Sequence, residues 1–178
     1  GAISCFKWND VDFFLLDNRY HRSPNRRKKG SPTFLGKEQL EWLIDALISS
    51  RAPFKMVAIG GQVLNSAQKY ETYSNLAPEE RAYLLQRIAE EEIKGVIFLS
   101  GDRHKTELSY FENEGYPVYD VTVSPLTSGV ATGKGEVNEH RVEGTSVQEQ
   151  NFGLLEFSGP RLERKLKIQI FNSVGEEK

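Results

Sequence analysis

The sequence predicts an α/β fold of the mixed α+β kind, a β-α-β-α-β run followed by strands alone. Three observations carry this. "VIFL" (96–99) is apolar at every position, the pattern of a strand covered on both faces. "GKEQLEWLIDALISS" (36–50) sets Leu40, Leu43, Ile44, Leu47 and Ile48 on one helical stripe. "FGLLEFSGPRLERKLKIQIFN" (152–172) reads as two strands about a turn at Ser158, Gly159 and Pro160, with no helix between them. An α/β layer that continues into antiparallel strands satisfies all three.

Taken in order, "VDFFLLD" (11–17) is a short apolar run between carboxylates and predicts a buried strand. "HRSPNRRKKGSPTF" (21–34) holds two prolines, a glycine and a basic cluster, and predicts a loop. The 36–50 helix stops before Pro53, and "FKMVAIG" (54–60) predicts a second strand. Residues 61–77 are polar, with Tyr70 and Tyr73 interleaved, and read as a long surface loop. Pro78, with Glu79 and Glu80 near the positive end of a helix dipole, opens a second helix. Its stripe is Leu84, Leu85 and Ile88, and Gly95 is a candidate terminator. "VIFL" follows, then an alternating strand in "YPVYDVTVS" (116–124) and a Gly-, Thr-, Ser- and Glu-rich loop over 125–151. The chain reads as a single domain over 1–178, with Gly1 as a tag-removal scar and "GEEK" as a frayed tail.

Composition narrows the function classes. A hydrophobic fraction of 38% fits a folded domain with a core. A net charge of −2 offers no global field for nucleic acid or an anionic membrane, and no apolar run approaches the ~20 residues of a membrane helix. Cys5 is the only cysteine, which excludes an intrachain disulfide and a cysteine-built zinc site.

Ligands in α/β sheets sit outside the carboxyl ends of strands, so the strand ends are the places to look. "SGDRH" (100–104) ends the most apolar strand with Asp102, Arg103 and His104. A carboxylate and an imidazole two residues apart can converge on one cation, and a turn-capping Asp102 beside an ordinary polar His104 fits the same string. "LLDNRYHR" (15–22) ends another strand with Asp17, Arg19, His21 and Arg22. A guanidinium fork suits a phosphate; an Asp–Arg pair that stiffens a loop is the alternative. "GGQVLNS" (60–66) follows the 54–60 strand, and Gln62 or Asn65 offers an amide oxygen to a hard cation or to loop hydrogen bonds. "GVATGKG" (129–135) has the wrong glycine spacing for a phosphate loop and puts Gly135 where Ser or Thr is required. His140, in a Glu-rich loop, predicts an exposed side chain. Three strand ends suited to phosphate or metal point to one shared site.

"FLLDNRYHRSPN", "FLGKEQLEWL", "GGQVLNS", "FLSGDRHKTELS", "YDVTVSPLTSG" and "NFGLLEF" appear in that order, within a resemblance that spans roughly residues 10 to 172. The ordered set resembles the C-terminal half of PhoD-like alkaline phosphatases, within the calcineurin-like metallophosphoesterases. That resemblance implies half of a β-sandwich of mixed sheets with flanking helices, and a dinuclear metal site at the strand ends. It also implies phosphate mono- and diester substrates and divalent or trivalent ions, calcium, iron, zinc or manganese not being distinguishable. On the same resemblance Asp102 and His104 match the closing metal motif, Asp102 standing where the wider superfamily has the first histidine of Gly-His-x-His. Gln62 falls near a further ligand position, and Arg19 is a candidate for the substrate phosphate. Arg103, which a bound cation would repel, is expected to turn elsewhere, toward a carboxylate or the substrate phosphate. An exported or periplasmic location is implied in the same way.

The departure lies upstream. The family's Asp-x-His, Gly-Asp-x-x-Asp and Gly-Asn-His-Asp motifs are absent, and "DRH" is not followed by the other two. The expectation is therefore a phosphoesterase fragment, inactive alone, that associates with itself or pairs with the missing N-terminal half. A non-catalytic binding or structural domain that keeps the half-fold is the alternative.

Overall fold

A computed structural model describes residues 2–133 and 135–178. Eight strands and three α-helices follow the chain as β1 (Ser4–Trp8), β2 (Val11–Leu15), α1 (Lys37–Ser49), β3 (Phe54–Ala58), α2 (Tyr73–Leu76), α3 (Pro78–Glu90), β4 (Val96–Ser100), β5 (Glu107–Phe111), β6 (Val118–Thr122), β7 (Asn151–Ser158) and β8 (Lys165–Asn172). The first six strands form one mixed sheet in the order β1-β2-β3-β4-β6-β5, and β7 and β8 pair as a separate antiparallel hairpin. Strands β2, β3, β4 and β6 are parallel neighbours, flanked by antiparallel β1 and β5. The mixed sheet with flanking helices is the fold class that the sequence implied.

Each face of the sheet has its own cover. Leu40, Leu43, Ile44 and Leu47 of α1 and Leu84, Leu85 and Ile88 of α3 pack with Phe14, Val57, Val96 and Phe98 of the strands. The residues alternating with these, Val11, Met56, Ile97 and Val121, turn to the other face and meet Leu155, Phe157, Leu166 and Ile168 of the hairpin. Apolar residues on both faces of β4 are what "VIFL" demanded. Of the predicted α1 stripe only Ile48 departs, 44% exposed at the end of the helix.

Helix α1 begins without a side-chain cap from its N-cap residue, Gly36. A carboxylate from another helix does that work. Glu80 accepts from the amides of Phe34 and Leu35 at 2.9 and 2.7 Å and of Gly36 at 3.2 Å. It thus satisfies donors ahead of α1 while itself standing in the first turn of α3. Gly95 does not terminate α3, which ends at Glu90. Instead its φ of 75° brings the backbone so near Pro53 that a Cβ would lie 2.1 Å from the Pro53 carbonyl oxygen. That close approach lets Gly95 O accept from Lys55 N at 2.8 Å as β3 and β4 begin to pair.

The 61–77 segment is not a surface loop. Gln62, Val63, Leu64, Asn65, Thr72, Tyr73 and Ser74 are buried, and residues 73–76 form α2. Their polarity misled because hydrogen bonds, rather than solvent, satisfy it. No helix among the described residues is long and apolar enough to cross a membrane.

Candidate functional site

Because β2, β3 and β4 are parallel, the segments after Leu15, Ala58 and Ser100 leave the sheet at one edge. The β2 end is fixed by Asp17, whose Oδ1 accepts from the amides of Arg19 at 2.8 Å and Tyr20 at 3.0 Å. Those bonds, with a third from Ala2, hold its carboxyl down at about 2. The turn presents Arg19, whose Nη1 lies 2.8 Å from Glu71 and whose Nη2 lies 3.7 Å from Asp102. Arg22 grips the same Glu71 through two nitrogens at 2.9 Å, and this guanidinium pair keeps the Glu71 carboxyl at about 2 despite partial burial.

After β4 the chain alternates. Asp102 and His104 adopt left-handed backbone, φ 63° and 54°, and their side chains are exposed. Arg103 and Lys105 turn inward and are buried. Arg103 Nη2 is 2.5 Å from Glu136 Oε2, and its guanidinium lies 5.1 Å from the centre of the Tyr70 ring. His104 Nδ1 lies 3.5 Å from the Ser128 hydroxyl. A cavity of about 460 Å³ opens here, lined among others by Tyr70, Glu71, Asp102, His104, Thr132 and Gly133.

Beneath this floor lies a buried polar network. Glu107 Oε1 accepts from Gln62 Nε2 at 2.8 Å and Asn138 Nδ2 at 3.2 Å, and Oε2 from Lys105 Nζ at 3.1 Å and Arg141 Nε at 2.6 Å. Burial pushes the Glu107 carboxyl up, but the bond from Gln62 and the charges of Lys105 and Arg141 outweigh it and hold it below the ordinary range. Glu136 is held down in the same way, Asn65 and Lys105 overcoming its burial. Asp120, in the middle of β6, accepts from the amides of Val63 at 2.6 Å and Leu64 at 2.9 Å and from the Ser100 hydroxyl at 2.6 Å. Here burial wins, and the carboxyl is pushed up to about 6.

The structure therefore brings Asp102, His104 and Arg19 to one strand edge. Gln62 lies below them, fully buried, its Nε2 bonded to Glu107 and Thr122 and its Oε1 accepting from Asn65 at 2.8 Å. Arg103 is turned to Glu136. Among the described residues no three His, Cys, Asp or Glu side chains cluster as a cation site. Asp102 and His104 are two donors whose chemistry suits a cation. His140 is half-buried against Phe111, and burial lowers its imidazole from the ordinary value.

Sequence reading missed Lys105, Glu107, Asp120 and Glu136. One signal was available: "DRHK" (102–105) alternates candidate ligands with cations, and cations that turn inward need acidic partners.

The family model for PhoD-like phosphatase matches residues 4–159. The fold is similar to that of a solved structure described as PhoD, with TM-score 0.67 at 17% identity, over 98% of this chain and 43% of that one. It is also similar to a purple acid phosphatase from yellow lupin (Lupinus luteus) seeds, with TM-score 0.55 at 14% identity, over 99% of this chain and 31% of that one. The chain spans less than half the length of either. No curated protein matches it. The family model covers most of the chain, and this chain belongs to the PhoD-like phosphatases.

Proposed function

We propose that these residues form the C-terminal part of a metal-dependent phosphoesterase site, with Asp102 and His104 supplying one edge of the cation site. The observation that carries this is the alternation after β4, which leaves Asp102 and His104 exposed at the cavity and sinks Arg103 and Lys105 into its wall. A cation bound there supplies Lewis-acid polarisation of a phosphoryl oxygen and lowers the pKa of water. This chain's own residues do the rest of the positioning. Arg19, 61% exposed and tethered by Glu71, offers a phosphate oxygen its guanidinium fork beside Asp102. Arg103 is 8% exposed and bonded to Glu136, so on this reading the exposed Arg19 meets the substrate phosphate and Arg103 braces the loop. Gln62 belongs to the buried support, because it is fully buried and both ends of its amide are bonded within the network.

Two donors do not make a dinuclear centre, and the activity of these residues without the rest of the ligand set is negligible on this reading. The test is hydrolysis of p-nitrophenyl phosphate by this chain with divalent cations at alkaline pH. Background rates are expected, and robust turnover abolished by His104→Ala would overturn the incompleteness. Imidazole resonances test the site itself: cation-dependent shifts at His104 support it, and shifts confined to His21 or His140 would sink it.

A further inference from the structure

Something must hold Asp102 and His104 outward. Both sit in left-handed backbone, a conformation that side chains with a Cβ adopt at a cost. The loop cannot keep it unaided, and its two inward residues are the available anchors. Arg103 and Lys105 are only 8% and 1% exposed, so each carries its charge where an unpaired cation is not tolerated.

Glu136, from the loop between β6 and β7, touches both. Its Oε2 accepts from Arg103 Nη2 at 2.5 Å and its Oε1 from Lys105 Nζ at 3.0 Å, and Asn65 Nδ2 at 2.7 Å steadies the carboxylate. Glu107 shares Lys105 but not Arg103. Arg103 Nη1 is buried and has no hydrogen-bond partner among the described residues, so Glu136 is the only carboxylate that answers this guanidinium there.

We propose that Glu136 is the positioning residue of the strand-end site: by holding Arg103 and Lys105 in, it holds Asp102 and His104 out. The inference rests on the reading of those two residues as cation donors. It adds an electrostatic role. Two cations beneath a metal would repel it, and Glu136 with Glu107 offsets their charge. Without Glu136, Arg103 loses its buried partner and moves toward water, out of the wall of the cavity it lines and into its space, and the left-handed residues on either side move with it.

The test uses Glu136→Gln, which keeps the size and removes the charge. In the metal-free chain, the backbone carbon shifts of Asp102 and His104 are expected to lose their left-handed signature while those of Met56 and Phe98 in the sheet stay in place. In a titration with Mn²⁺ alone, broadening of the His104 imidazole is expected to need about ten-fold more ion or greater, the usual scale for a residue that orients a ligand. Unmoved Asp102 and His104 signals in a folded variant would overturn the proposal. Should Glu136→Gln fail to fold, Glu136→Asp, charged but too short to reach both cations, carries the same reading: displaced signals support it and undisplaced ones overturn it. If Mn²⁺ leaves His104 of the unsubstituted chain untouched, the cation-site reading fails, and the metal-free shifts still decide the role of Glu136.

Discussion

Asp120 gives stability a pH dependence that can be isolated. Its carboxyl is fully buried, and desolvation lifts it from 3.8 to about 6 although two amides and the Ser100 hydroxyl donate to it. At ~1.4 kcal/mol per pH unit, a gap of roughly two units is worth ~3 kcal/mol. The folded value lies above the unfolded one, so folding takes up a proton between them. The contribution is complete below about pH 4 and is lost as pH rises through about 6. Asp120→Asn removes the ionisation while keeping the bonds. Its amide oxygen accepts from Val63 and Leu64, and its NH₂ donates to Ser100, whose hydroxyl then turns to Thr122 Oγ1, 2.9 Å away. Urea unfolding is followed by the fluorescence of Trp42, which packs on Phe14 in the core. At about pH 8 the variant is expected to be more stable by up to ~3 kcal/mol, a midpoint shift of about 1.5 M at an m-value of about 2 kcal/mol/M. Near about pH 4 the difference vanishes. Other carboxylates, such as Glu71, are held low by arginines and pull stability down in acid, but they act on both proteins and cancel in the difference. A variant that differs from the parent by a constant amount at every pH would refute the reasoning.

Gly95→Ala forces a Cβ against the Pro53 carbonyl in a left-handed backbone, and a loss of at least ~3 kcal/mol is expected in the same urea assay. A loss below about 1 kcal/mol would show that the β3–β4 entrance yields. Phe6 and Trp8 on edge strand β1, and Phe152 and Leu154 on β7, are substantially exposed, so dilute chain is expected to bind a hydrophobic dye and to scatter light as a dimer or larger species. Clean monomer without dye binding counts against it, and Trp8→Lys should weaken association where it occurs.

The sequence was legible wherever burial meant apolarity. "VIFL" announced β4 because both of its faces are packed, and the α1 and α3 stripes announced the helices because their cover is one-sided. It was silent wherever that link breaks. Strand β1 is exposed at every residue, so "SCFKW" carries no inward alternation. Strand β5 hides Glu107 and Ser109 rather than apolar side chains, and "ELSYF" therefore read as nothing in particular. The 61–77 segment and Glu136 failed for the same reason, since a buried hydrogen-bond network has the composition of a loop. The strand-end candidates Asp102 and His104 were visible because they follow an obvious strand. What orients them was not, because Glu136 comes from a loop more than thirty residues on, and only folding brings it near.

The hairpin carries a consequence for how the chain is made. Val11, Met56, Ile97 and Val121 are covered by residues that leave the ribosome well after β6, and the Arg164–Asp10 pair at 2.7 Å joins positions 154 residues apart. At about 5–20 residues per second, several seconds separate the emergence of the sheet from that of its lid. For that interval one face of the sheet is a bare apolar plane beside an uncovered strand edge. The time for which this face stays uncovered is thus set by the translation speed of the stretch from Thr122 to Asn172. Slow codons placed there would lower the yield of folded protein without changing a single residue.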